Sequence, residues 1–235
     1  MDIRKQYNEL KNSYDAGKFM EFKSELIKNN SLDYLNFHYS LLKDRENLNL
    51  FYNIRAAFEK RKKVGVDFLI EKIKTEKDEI LKSEALFILG LMKCYEIKKE
   101  VINLYLTTHY FNVKYNCIVV LGWIGTSLED IHFLSDIMNN ISENSELRAY
   151  AASALRQIWF KNSMFTSNIL RAYKSILTKN NDYVIDSTII ACIQDMLRKK
   201  FGISESRYGE ISGGVEKPKL KAIKAIDNYL NNKTV

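Results

Sequence analysis

The stretch Asp78-Glu79-Ile80-Leu81-Lys82-Ser83-Glu84-Ala85-Leu86-Phe87-Ile88-Leu89-Gly90-Leu91-Met92 decides how this chain is read. Its apolar residues Leu81, Ala85, Ile88, Leu89 and Met92 recur at three and four, the spacing that gathers side chains on one helix face. The arrangement returns three times downstream. The second copy is Val113-Lys114, Cys117-Ile118, Val120-Leu121-Gly122, Ile124, and the third Asn144, Leu147-Arg148, Ala151-Ala152, Ala154-Leu155-Arg156, Ile158. A looser fourth is Asn181, Val184-Ile185, Thr188-Ile189, Ala191-Cys192. With Leu81, Val113, Leu147 and Val184 as equivalents, the copies start 32, 34 and 37 residues apart. Recurrence at such a period predicts a stacked array of repeats rather than a single globular enzyme core.

Each copy leads through a turn into a second amphipathic segment: Ile97 to Thr107, Leu128 to Ile141, Phe165 to Leu177. The expected unit is a helical hairpin, which cannot bury both apolar stripes alone and so must stack on its neighbours. Ala85, Ala151 and Ala154 would let helices approach closely. Gly90 and Gly122 each cost about 1 kcal/mol in helix propensity relative to Ala, a loss that a close backbone crossing offsets. Asp78 and Asn144 stand just ahead of their helices, where a short oxygen-bearing side chain accepts from first-turn N–H groups. Lys82, Lys114 and Arg148, at a matching first-turn position, are expected to reach toward polar groups of the adjacent hairpin.

The string from Asp78 to Met92 resembles the HEAT repeat, particularly the short bacterial form seen also in phycobilin lyase-like proteins, and copies two and three match it almost as well. The fourth departs, with Asp195 where an apolar residue is expected and no Lys or Arg after Val184. The resemblance covers about half the chain. It implies an all-α fold, an α-α superhelix or HEAT-like solenoid of five to seven helical hairpins, and no single function, because the fold is a scaffold for many.

Composition agrees with helices. One proline and nine glycines in 235 residues are too few for the Gly/Pro-bounded strands of a large β protein. No apolar run approaches the roughly 18 residues of a membrane helix, and the polar start Met1-Asp2-Ile3-Arg4-Lys5 lacks the apolar segment of a secretory signal. No membrane contact and a cytoplasmic location are expected. The chain is expected to form one HEAT-like domain over 1–235. Residues 1–76 would form degenerate hairpins and a cap, with helical patterning over Ile3 to Ala16, Lys18 to Lys28, Leu32 to Leu42, Leu48 to Lys62 and Val66 to Thr75, broken at Gly17, Asn29-Asn30 and Lys63-Val64-Gly65. The recognisable repeats fill 78–200, a Gly-rich loop 202–215, and a capping helix 216–235, whose stripe would be Leu220, Ile223, Ile226 and Leu230.

The three cysteines, Cys94, Cys117 and Cys192, show no Cys-x-x-Cys spacing and read as small hydrophobes. His38, His109 and His132 are scattered. No metal, cofactor or catalytic residue is therefore expected. His132 and Asp136, four apart on one helix face, are the nearest approach to an acid–base pair, but no nucleophile or phosphate-cradling loop stands near them in the sequence. Part of the net charge of +7 lies in Arg198 to Val235, with nine basic and four acidic residues. HEAT-like alkylpurine DNA glycosylases resemble the chain in size and basicity. They make a nucleic-acid-binding protein the alternative reading, although Trp123 and Trp159 fall in or beside the apolar stripes.

The reading reached from sequence is a non-catalytic module, monomeric when free, that binds a protein partner. Small HEAT-like chains resemble bacterial immunity proteins, which implies a toxin domain as that partner, with an adaptor or assembly factor as a further alternative. Second helices commonly line the concave face in this family, and that resemblance makes the binding row Lys99, Asn103 and Tyr105, then His132, Asp136 and Asn139, then Asn168, Arg171 and Lys174.

Overall fold

A computed structural model describes residues 2–179 and 181–232. Almost all regular structure is helical, and the chain divides into two compact units, residues 1–116 and 117–235. The division falls inside one helix, α8.

In the first unit the helices are α1 (Ile3–Asn12), α2 (Ala16–Lys28), α3 (Leu32–Ser40), α4 (Leu48–Ala57), α5 (Lys62–Thr75), α6 (Glu79–Leu91), α7 (Lys98–Thr107) and the start of α8 (Phe111–Ile124). Short 3-10 turns extend α3 and α4. The break at Asn29-Asn30 falls where expected, and the other two differ. Gly17 lies inside α2, because Asp15 accepts from the N–H of Lys18 and starts the helix two residues earlier. Gly65 lies inside α5 and is there for closeness: a β-carbon would stand 2.8 Å from Arg61 Cβ and 3.2 Å from the Phe58 carbonyl oxygen. The chain turns instead at Lys62, whose φ is +51°.

A buried polar knot holds these N-terminal helices. Arg61, 3% exposed, donates to the carbonyls of Leu26 (2.7 Å) and Asn29 (2.9 Å), to Asn30 Oδ1 (3.0 Å) and to His38 Nδ1 (2.9 Å). No carboxylate faces this guanidinium among the described residues. The terminal carbonyls of α2, at the negative end of the helix dipole, supply its balance. Since His38 Nδ1 accepts, Nε2 carries the proton and donates to the Ile54 carbonyl at 2.9 Å. Burial pushes the imidazole down to about 3, so it is neutral at physiological pH, stacked 3.8 Å from the Phe58 ring.

Asp78 caps α6 as expected, accepting from the N–H groups of Ile80 and Leu81, and also pairs with Lys43. Of the three first-turn cations, Lys82 does not reach a neighbouring hairpin but pairs with Glu79 on its own helix at 3.1 Å. Lys114 lies 5.1 Å from the centre of the Tyr105 ring. The link from α6 to α8 runs through Asn116, whose amide donates to the carbonyl and hydroxyl oxygens of Ser83.

In the second unit α9 (Leu128–Asn139), α10 (Ser145–Lys161), α11 (Thr166–Leu177), α12 (Tyr183–Leu197) and α13 (Glu216–Asn231) follow the end of α8. Asn144 caps α10, and Arg148 here does reach the neighbouring helix, donating from Nε to the Met138 carbonyl of α9 at 2.9 Å. The fourth copy is capped by Asp182 rather than Asn181, and Asp182 also accepts from Ser145 in the first turn of α10. The main packing of α10 is on α9 and α12, with less on α11. The leading helix α10 thus packs both on the helix before it and on the leading helix of the next repeat. Gly122 makes the close crossing expected of it: a β-carbon there would lie 3.0 Å from Ala154 Cβ.

The expected loop 202–215 contains a small antiparallel ladder, β1 (Ser204–Glu205) and β2 (Ile211–Ser212). The buried stripe of α13 is also displaced from the expected one. Ala222, Ala225 and Ile226 face inward with Pro218, whereas Leu220 is 71% exposed.

Candidate functional site

The nine residues of the expected binding row lie on α7, α9 and α11, and they do not share one environment. Lys99 and Asn103 are exposed on α7. Tyr105 is not exposed: it is 6% accessible and continues the inward stripe Ile97, Val101, Tyr105. That four-residue spacing was visible in the sequence and outweighs the preference of tyrosine for interfaces. In the second unit His132, Asp136 and Asn139 are exposed on α9, and Asn168 and Arg171 on α11. Lys174 is only half-exposed and pairs with Asp227 of α13, so it closes the end of the repeat rather than facing solvent alone.

No hydrogen bond or ion pair joins His132 to Asp136, and no cluster of three or more His, Cys, Asp or Glu suits a metal, both statements holding among the described residues. Burial raises the thiol of Cys117 out of the reactive range and pushes that of Cys192 up to about 11. Trp159 donates from its indole to Thr166 Oγ1 at 3.1 Å, which fixes the ring in the packing of α10 on α11. No helix among the described residues is long and apolar enough to cross a membrane.

Two constructions that sequence reading missed are better organised. The first lies between α4 and α6 of the first unit. Arg55 sits 4.4 Å from the Phe87 ring, 5.1 Å from Tyr52 and 5.2 Å from Phe51, and Arg45 lies 3.8 Å over Phe51. Glu84, buried on α6, holds both: Arg45 at 2.6 Å and Arg55 at 3.6 Å. The guanidinium groups are thus fixed by one carboxylate and by aromatic faces, an arrangement worth more when partly desolvated. Around this cluster Leu48, Tyr52, Ile80 and Leu91 are between 37% and 53% exposed. Positions 80, 84, 87 and 91 fall at four, three and four, one stripe of α6. The sequence signal was there, but these residues lie on the far side of the repeat pattern that drew the reading.

The second construction ties the hairpin to the second unit. Arg156 of α10 grips Glu205 with two parallel hydrogen bonds, 2.6 and 2.8 Å, and reaches Asp195 of α12 at 2.8 Å. That guanidinium holds the Glu205 carboxyl below the ordinary carboxylate range. Gln194 adds a second tie: its carbonyl oxygen accepts from the N–H groups of Phe201, Gly202 and Ile203, and its amide donates to the Ile203 carbonyl. Between the end of α12 and the hairpin an open cleft of about 460 Å³ remains, lined in part by Gln194, Asp195, Lys200, Ser204, Glu205 and Arg207. The departure of Asp195 from the apolar pattern of the fourth copy is explained here: it serves this cluster.

No family model matches the chain, and no curated protein matches it. Among solved structures it is similar to a chain from the complex of CpcE and CpcF of phycocyanin lyase from Nostoc sp. PCC7120. The TM-score is 0.58 at 12% identity, over 69% of this chain and 99% of that one. The finding corrects the functional expectation: the similar chain belongs to a phycocyanin lyase complex, not to a toxin inhibitor or a DNA-repair enzyme, and the immunity reading falls with it. At this identity the likeness is one of fold, and it establishes the chain as an all-α protein of the HEAT-like helical-repeat class, an α-α superhelix.

Proposed function

We propose that this chain works as one subunit of an assembly with a second polypeptide, and that the α4–α6 face of the first unit is a contact for that polypeptide. The observation that carries the reading is the similarity to nearly the full length of a chain drawn from a two-protein complex. The chemistry of the face supports it. Arginine and tyrosine are the residue types enriched where binding energy concentrates, and here Arg45 and Arg55 are already held by Glu84 and three aromatic rings. Such fixed side chains lose little conformational freedom on association. The exposed members of the sequence-derived row, Lys99, Asn103, His132, Asp136, Asn139, Asn168 and Arg171, are secondary candidates for the same partner.

Isolation of the tagged chain from its native cells, followed by native mass spectrometry, tests this reading. A stoichiometric heteromeric complex that is lost in Tyr52→Ala/Arg55→Ala is expected. Isolation of the chain alone, or a complex indifferent to both substitutions, contradicts it.

A further inference from the structure

At the basic end of the chain two acids are paired with cations from earlier helices, which leaves most of its own cations unpaired. Glu205 is bound by Arg156 and Asp227 by Lys174. One lysine is spent in return: Lys219 pairs at 2.8 Å with Asp186, which is 1% exposed on α12. What remains between residues 198 and 232 is Arg198, Lys199, Lys200, Arg207, Lys217, Lys221 and Lys224, none facing a carboxylate among the described residues, against only Glu210 and Glu216.

The fold gathers these cations. Gly202, at φ +115°, sits where a β-carbon would be 3.5 Å from Pro218 Cγ, so the segment after α12 lies against the first turn of α13. Lys200 and Arg207 line the same cleft. Asp195 and Glu205 line it too and share the single guanidinium of Arg156, so that with Lys200 and with Arg207, which lies 4.6 Å from the Tyr208 ring, the cleft keeps a net positive charge. On α13, Lys217, Lys221 and Lys224 fall at four and three with the exposed Leu220 among them, and Tyr208 at the hairpin is 74% exposed.

We propose that this end of the second unit is a docking surface for an acidic, partly apolar peptide segment of the protein partner, seated with a carboxylate in the cleft between Lys200 and Arg207. The inference rests on the reading that the chain has a protein partner, and it names the chemistry of part of that partner. Charge complementarity steers and orients such an encounter. The exposed Leu220 and Tyr208 give it apolar contacts that a phosphate backbone would not use, and Glu210 and Glu216 interrupt a phosphate track. One exposed leucine is too little apolar surface for insertion into a bilayer, which needs a whole apolar helix face.

The test is fluorescence anisotropy with the full chain and a labelled peptide of alternating glutamate and leucine. Lys200→Glu/Arg207→Glu is expected to weaken binding about ten-fold or more, while Lys5→Glu/Lys60→Glu, an equal change of charge at exposed sites of the first unit, changes it less than about two-fold. Circular dichroism confirms that both variants fold. Equal losses in the two variants, no binding by the unaltered chain, or tighter binding of duplex DNA or phosphatidylserine vesicles than of the peptide overturns the proposal. A heteromeric complex isolated undiminished from Lys200→Glu/Arg207→Glu overturns this inference alone and leaves the partner reading standing.

Discussion

Arg156 on α10 and Glu205 on β1, 49 residues apart, form a bidentate pair that fastens the hairpin to the repeat layer. Both side chains are largely withdrawn from solvent, at 12% and 27% exposure, so the pair is less screened than a surface bridge.

Glu205→Gln keeps the shape but removes the charge, and should cost about 1–2 kcal/mol in urea unfolding, with faster amide exchange over residues 203–212. The pH dependence has a definite sign. Arg156 lowers the folded-state value of Glu205, so the stabilisation is full above the unfolded value of roughly 4.3 and is lost as pH falls through the folded one. Glu205→Gln should flatten that acid limb. An unchanged limb would show that the pair contributes nothing.

Arg61→Lys should destabilise the chain by about 2–3 kcal/mol, because one ammonium cannot replace a fork that serves Leu26, Asn29, Asn30 and His38. His38 is held neutral, with its value pushed down to about 3 by burial. Its contribution is therefore present above the unfolded value of about 6.5 and is lost as pH falls toward the folded one. His38→Gln should show a shallower stability loss in that window by chemical denaturation at a series of pH values.

Gly122→Ala gains about 1 kcal/mol in helix propensity but places a methyl 3.0 Å from Ala154 Cβ and 3.1 Å from its Cα. Overpacking of this kind costs about 1–3 kcal/mol, and the close approach of α8 to α10 leaves little room to relax. A net loss in thermal stability is expected, partly recovered by Ala154→Gly in the same chain. Net stabilisation would show that the crossing is loose.

Leu155→Ala, at a fully buried position, should cost about 2–5 kcal/mol, whereas Leu220→Ala at 71% exposure should stay within about 0.5 kcal/mol. Equilibrium urea unfolding compares the two directly. Equal effects would contradict the inward face assigned to α13.

What the sequence made legible was local. The apolar spacing of three and four and the caps Asp78 and Asn144 declare themselves within one turn of helix, and the structure has them as read. The close approach at Gly122 was legible too, because a glycine inside a helical stripe asks for a reason. The binding row was less so. Its exposed members follow from helical phase, and so does the burial of Tyr105, four residues after Val101, whereas the pairing of Lys174 depends on Asp227 of a distant helix. The pairings Arg55–Phe87, Arg156–Glu205 and Lys219–Asp186 join residues more than thirty positions apart. Nothing in a linear pattern announces them.

The central claim, that this chain works with a second polypeptide held on the α4–α6 face, is tested most directly by hydrogen–deuterium exchange of the chain alone and in its isolated complex. Slowed exchange concentrated in α4 and the outer stripe of α6, around Tyr52, Arg55, Glu84 and Phe87, is the predicted result. Exchange there that is unchanged on complex formation would contradict the claim.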